Sequence, residues 1–152
     1  MISFRFPLQK VLDWRRTELD LAEARFRQEV EALANLDRLR AQMEAAETAA
    51  EQQVRSWNPV AAGELEALGS FRVHMKARLA GLEKPRGECL ARLAERRQQM
   101  LEARRRLRLL ERLKERRLAE WTVARDHELE EVASESYLAQ WNRHKSRIGS
   151  GA

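Results

Sequence analysis

A single cysteine, Cys89, stands in a chain of 152 residues, so no disulfide can form within it and nothing points to an oxidising compartment. Six glycines and three prolines are too few for a fold rich in tight turns. At 6% aromatic, the chain also lacks the large side chains that fill a broad compact core. No apolar run approaches the roughly 20 residues needed to span a bilayer. The opening Met1-Ile2-Ser3-Phe4-Arg5-Phe6-Pro7 has no apolar core followed by a small-residue cleavage site. A signal peptide is therefore not expected there, and the expected location is the cytoplasm.

Chemistry is scarce as well. The histidines His74, His127 and His144 are far apart in sequence, whereas a helical metal site wants ligands three or four residues apart on one face. Asp126 and Glu128 flank His127, but sequence neighbours on a helix point away from each other. There is no phosphate-binding glycine loop and no nucleophile with an adjacent base. No catalytic residue, metal or cofactor is expected.

What is present is charge and helical periodicity. Charged residues make up 35% of the chain, with abundant Ala, Glu, Leu and Arg, the composition of long or coiled helices. Apolar residues recur in alternating steps of three and four at Leu8, Leu12, Leu19, Ala22, Phe26, Leu33, Leu36, Met43, Ala50, Val54 and Trp57. This spacing predicts one buried stripe on a first helix over residues 7–57, opened by Pro7 at its first position. Arg15, Arg40 and Glu47 interrupt the stripe, and Val30, Leu39 and Ala46 lie one residue off it as local substitutes. A turn is predicted over residues 58–63, with Asn58 as N-cap before Pro59. The second helix, over about 64–146, carries Leu68, Met75, Leu79, Leu82, Cys89, Leu93, Met100, Ala103, Leu107, Leu110, Trp121 and Ala124 on its stripe. Leu118, Val132 and Ala139 fall on a shifted stripe, which predicts a stutter near residue 117.

Pro85 lies inside the second helix. Because the stripe keeps its phase from Leu79 and Leu82 to Cys89 and Leu93, a kink is expected there and not a break. The expected fold is therefore all-α: one domain made of two long helices in an antiparallel coiled-coil hairpin, with a disordered tail over 147–152. A helix over 7–57 would be roughly 75 Å long. Pairing about the turn sets Leu8 near Leu113 and leaves some thirty residues of the second helix, on the order of 45 Å, without a partner strand of helix. That stretch contains Trp121, Tyr137, Leu138 and Trp141, which either meet a partner or pack on the Phe4–Phe6 tail.

The net charge of +5 is concentrated. Residues 86–117 hold twelve Lys/Arg against five Glu, while residues 1–60 hold nine Lys/Arg against ten Asp/Glu. Three readings fit the basic run: a solvated coiled-coil flank with pairs such as Glu111–Lys114 and Arg112–Glu115, a surface for an acidic protein partner, or a nucleic-acid contact. Aromatic interleaving is absent, so nucleic acid is not the expected partner.

Three blocks together resemble a known family. Phe4-Arg5-Phe6-Pro7-Leu8-Gln9-Lys10-Val11-Leu12-Asp13-Trp14-Arg15 resembles the opening of the FliJ-type flagellar export proteins. Leu110-Glu111-Arg112-Leu113-Lys114-Glu115-Arg116-Arg117 with Glu120 and Trp121, and then Glu128-Leu129-Glu130-Glu131-Val132-Ala133, resemble two later blocks in the same order. Trp121 stands where tyrosine is more usual, and Pro85 interrupts a helix that the family would keep continuous. The resemblance implies a non-catalytic adaptor of the flagellar type III export apparatus, shaped like the central stalk of a rotary ATPase. It implies a cytoplasmic protein at the inner-membrane base of the flagellum. Its partners would be the export ATPase hexamer, the export-gate membrane protein and export chaperones. On that reading Arg105, Arg108, Arg112, Lys114, Arg116, Arg117 and Trp121 are the expected contacts with the ATPase ring. Phe71, Met75 and Leu79 are the expected contacts with the gate or a chaperone. The alternatives from other classes are a basic coiled coil binding nucleic acid and a generic structural coiled coil.

Overall fold

A computed structural model describes residues 3–57, 59 and 61–149. It contains two long helices packed against each other, α1 (Gln9–Ser56) and α2 (Ala62–Gly149). α1 starts two residues after Pro7: the Gln9 N–H bonds the Phe6 carbonyl at 3.1 Å, and the first helical bond runs from Leu12 N–H to Leu8 C=O at 2.9 Å. Pro7 and Leu8 thus form the turn that leads into the helix. Asn58 lies outside the described residues, and α2 is capped by another route. The Glu64 carboxylate accepts the Ala61 N–H at 3.1 Å, while Glu64 N–H bonds the Ala61 carbonyl at 3.1 Å. This is one half of a capping box: alanine at the cap has no side chain to return the bond, so the carboxylate three residues on supplies the closing contact alone. Residues 147–149, expected in a disordered tail, are the last residues of α2; residues 150–152 lie outside the described set.

Contacts divide the chain into two compact units, Met1–Arg16 with Arg105–Ala152, and Thr17–Arg104. In the second of these, residue numbers fall along α2 as they rise along α1. Glu23 meets Arg104, Glu29 meets Arg92, Asp37 meets Arg86, Arg40 meets Glu83, and Glu51 meets Arg72. The pairing is antiparallel, and its charges are sorted. α1 supplies the acid in every one of these pairs except Arg40–Glu83. Each exposed pair contributes about 0–1 kcal/mol, so the set acts mainly on orientation and register. The Asp37 hydrogen bond, reinforced by its charge, raises the pKa of Arg86, and the hydrogen bond to Glu29 does the same for Arg92.

Between these pairs runs the seam. Met43, Met75, Cys89 and Ala103 are buried, and Leu19, Ala22, Phe26, Leu33, Leu36, Ala50 and Val54 are half-buried. Among the interrupting charges, Arg15 and Glu47 stay half-buried on the stripe, and Arg40 turns outward to Glu44 and Glu83. Val30 and Ala46 are exposed, and Leu39, also exposed, lines a groove with Leu36, Pro85 and Cys89 beside the outward-turned Arg40. The seam position beside Val30 is Glu29, whose side chain is only 17% exposed. Its carboxylate accepts from Arg92 Nε at 3.3 Å, and its carbonyl accepts the Cys89 thiol at 3.6 Å. A charge there is tolerated because it is paired and hydrogen-bonded. The change of stripe falls at Phe71, Met75 and Leu79, where two successive steps of four occur. No stutter forms near residue 117: Leu118 and Val132 are simply exposed, since packing stops and nothing defines a stripe beyond Arg125.

α2 runs as continuous helix through Pro85, so the chain does not split there. The proline is exposed and lies at the edge of the seam, where it lines a groove with Leu36, Leu39 and Cys89. The seam residues on either side, Leu82 and Cys89, keep their phase across it.

Candidate partner-binding surface

In the unit formed by the two end segments, Leu12 is fully buried, and Phe6 and Leu107 are nearly so. Residues Ser3–Leu8 lie against α2 and, with Leu113, Arg117, Glu120 and Trp121, line a cleft of ≈720 Å³. Leu8 and Leu113 share that cleft, which is the pairing expected from the sequence. The Phe4 and Trp121 ring centroids are 5.9 Å apart at 54°, and the Arg125 guanidinium sits 5.1 Å from the Trp121 ring. Trp121 is thus engaged within the chain by an aromatic ring and a cation. Tyr137, Leu138 and Trp141 are 68%, 55% and 52% exposed. The two expectations for this stretch therefore divide: Trp121 packs on the tail, and Tyr137, Leu138 and Trp141 stand in solvent.

The seven residues expected at an ATPase ring fall on two sides of α2. At 100° per residue, Leu107, Leu110, Lys114 and Trp121 lie on the side facing α1. Lys114 Nζ donates to Gln9 Oε1 at 2.9 Å, and Glu111 reaches Arg16 at 4.0 Å, so these side chains turn across to α1 and do not pair with each other. Arg117 lies near the same side, lines the cleft and pairs with Glu120 at 3.5 Å. Arg105, Arg108, Arg112 and Arg116 lie on the opposite side, exposed, and make no ion pair with any described residue. The arginine stripe, four residues over three turns, is the unassigned surface of this unit. The helical phase fixed by Leu107 and Leu110 is the signal that separates these residues from Lys114, Arg117 and Trp121.

In the other unit, Met75 is 4% exposed, and Phe71 and Leu79 are half-buried. These three residues belong to the seam. Only the outer edges of Phe71 and Leu79 are open to a partner, and Met75 is taken up by packing. All three histidines are exposed; the closest approach is His127 Nδ1 to Glu131 Oε1 at 3.4 Å, one turn away. Among the described residues no group of three or more His, Cys, Asp and Glu is placed to hold a metal, and no helix is long and apolar enough to cross a membrane.

No protein-family model matches the chain, and no match was found among curated proteins or solved structures. The paired-helix fold and the arginine stripe are therefore the observations on which a functional reading rests, together with the resemblance carried by the three sequence blocks.

Proposed function

We propose that this chain is a non-catalytic adaptor of the flagellar type III export apparatus, acting at the cytoplasmic face of the inner membrane. It engages the export ATPase hexamer and links it to the export gate and to substrate chaperones. The observation that carries the reading is the stripe Arg105, Arg108, Arg112 and Arg116, exposed, unpaired and directed away from α1. Four guanidinium groups at successive turns match a surface that offers carboxylates or backbone carbonyls at a similar spacing, as the lining of a ring does. Each planar fork bonds such oxygens in bidentate fashion, and the contact is strongest where the ring excludes water. Lys114, Arg117 and Trp121 serve this contact indirectly, by fixing the N-terminal segment on α2. The exposed edges of Phe71 and Leu79 are the surface left for the gate or a chaperone. Coupling is mechanical and electrostatic, with no covalent step.

The triple variant Arg108→Glu, Arg112→Glu, Arg116→Glu tests the assignment against the purified export ATPase. All three positions are in solvent, so helicity by circular dichroism stays at the wild-type level. Binding to the hexamer falls at least about tenfold, and stimulation of ATP hydrolysis is lost, because three favourable charge contacts become repulsive. Unchanged binding and stimulation by a folded triple variant would remove this surface from the mechanism.

A further inference from the structure

The outward face of α2 continues past the arginines, and its composition changes along the way. Steps of three and four residues carry one straight stripe through Arg105, Arg108, Arg112, Arg116, Ala119, Val123, Asp126, Glu130, Ser134, Tyr137 and Trp141, all exposed. The stripe starts basic, becomes small and apolar at Ala119 and Val123, turns acidic, and ends aromatic. The same polarity holds in the surrounding sequence. Residues 104–117 contain eight Lys/Arg and two Glu, whereas residues 126–135 contain five Asp/Glu and no Lys or Arg. Ala119, Val123 and Ala124, edged by Glu120 and His127, form a shallow apolar groove midway between the two charged segments.

We infer that this face binds a second copy of the same chain, with the two α2 helices antiparallel and the two-fold axis passing between Ala119 and Val123. The charge pattern selects that arrangement. With Ala119 of one copy against Val123 of the other, Arg116 comes opposite Asp126, Arg112 opposite Glu130, Arg108 opposite Ser134, and Arg105 opposite Tyr137. Every contact occurs twice by symmetry. The small side chains at the axis let the helices approach, the four ion pairs flank them, and Arg105 lies over the exposed Tyr137 ring as a cation–π pair. A parallel pairing would instead set each arginine against its own copy. The dimer covers the arginines assigned above to the ATPase, so self-association and that contact exclude each other. The inference itself is independent of the ATPase reading and is tested on the chain alone.

Two variants decide it by sedimentation velocity: Arg112→Glu with Arg116→Glu, and Asp126→Arg with Glu130→Arg. All four positions are exposed, and circular dichroism verifies that each variant keeps wild-type helicity. The wild-type chain sediments as a dimer at low salt and dissociates as salt screens the pairs. Each variant alone faces like charge with like at four contacts, and its dimer weakens by about a hundredfold or more. Mixing the two variants restores a dimer, because every reversed position then meets its complement. A wild-type chain that stays monomeric at low salt, a variant that still dimerises alone, or a mixture that stays monomeric would each overturn the inference. Each outcome is read without the ATPase present, so failure of the dimer leaves the ATPase reading standing.

Discussion

Pro85→Ala raises the stability of the chain by about 2–3 kcal/mol. Proline inside a helix removes one backbone hydrogen bond and presses its ring against the carbonyl four residues earlier, which here belongs to Gly81. α2 continues through that position, so the native state carries the cost. Two features keep the cost bearable. The position is exposed, which leaves the Gly81 carbonyl open to water, and the seam residues on either side, Leu82 and Cys89, keep their spacing. Alanine at 85 restores the bond and loses only the contacts of the ring at the rim of the groove it lines with Leu36 and Leu39. For a chain of this size the gain corresponds to a rise in melting temperature of about 4–12 °C. Gly81→Ala adds about 0.5–1 kcal/mol, because a β-carbon at that glycine meets nothing within 4 Å. Urea titration followed by far-ultraviolet circular dichroism measures both changes. A loss of stability in Pro85→Ala would mean that the ring packs on α1 more strongly than its exposure indicates.

Leu12→Ala acts in the other direction and costs about 2–5 kcal/mol. Leu12 is the one large aliphatic side chain that is fully buried among the described residues, at 0% exposure. The unit that contains it has little else to rely on: Phe6 and Leu107 are the other well-buried apolar residues there. A deletion of this size is a large share of the roughly 5–15 kcal/mol that holds an ordinary domain folded. The expected result is an early transition in which the Phe4–Trp121 contact is lost, visible as a change in tryptophan fluorescence before the bulk of the helix signal falls. A cost under about 1 kcal/mol would show that the cavity collapses and that Leu12 is not what fastens the N-terminal segment.

The seam was the legible part of the sequence because steps of three and four report burial directly. Leu12, Met43, Met75, Cys89, Ala103 and Leu107 all stand where that spacing places them. The reading failed where a charged residue occupies a seam position. Counting on from Phe26 lands on Glu29, yet the neighbouring Val30 looks the better core residue on hydrophobicity alone. Only the positions of Arg92 and Cys89 on the other helix show why the carboxylate is held there. Both helix starts were off by two residues, α1 beginning at Gln9 and α2 at Ala62; at the second, Ala61 has no capping side chain and the closing bond comes from Glu64.

The candidate site was legible in content and not in geometry. The density of arginine over 104–117 is plain, but density says nothing of direction. Once the seam fixes the phase of α2, Lys114 and Trp121 turn toward α1, and Arg105, Arg108, Arg112 and Arg116 turn away from it. The same phase puts Asp126, Glu130, Tyr137 and Trp141 in line with the arginines, a continuity that neither the charge run nor the apolar pattern displays separately.

The most direct test of the ATPase contact is a photocrosslink. Arg112→Cys on a Cys89→Ala background gives a chain with one exposed thiol, which carries a photoreactive label into a mixture with the export ATPase hexamer. The account predicts a crosslink from position 112 to an ATPase subunit, suppressed by excess unlabelled wild-type chain. A labelled chain that still stimulates ATP hydrolysis but crosslinks to no ATPase subunit would contradict it.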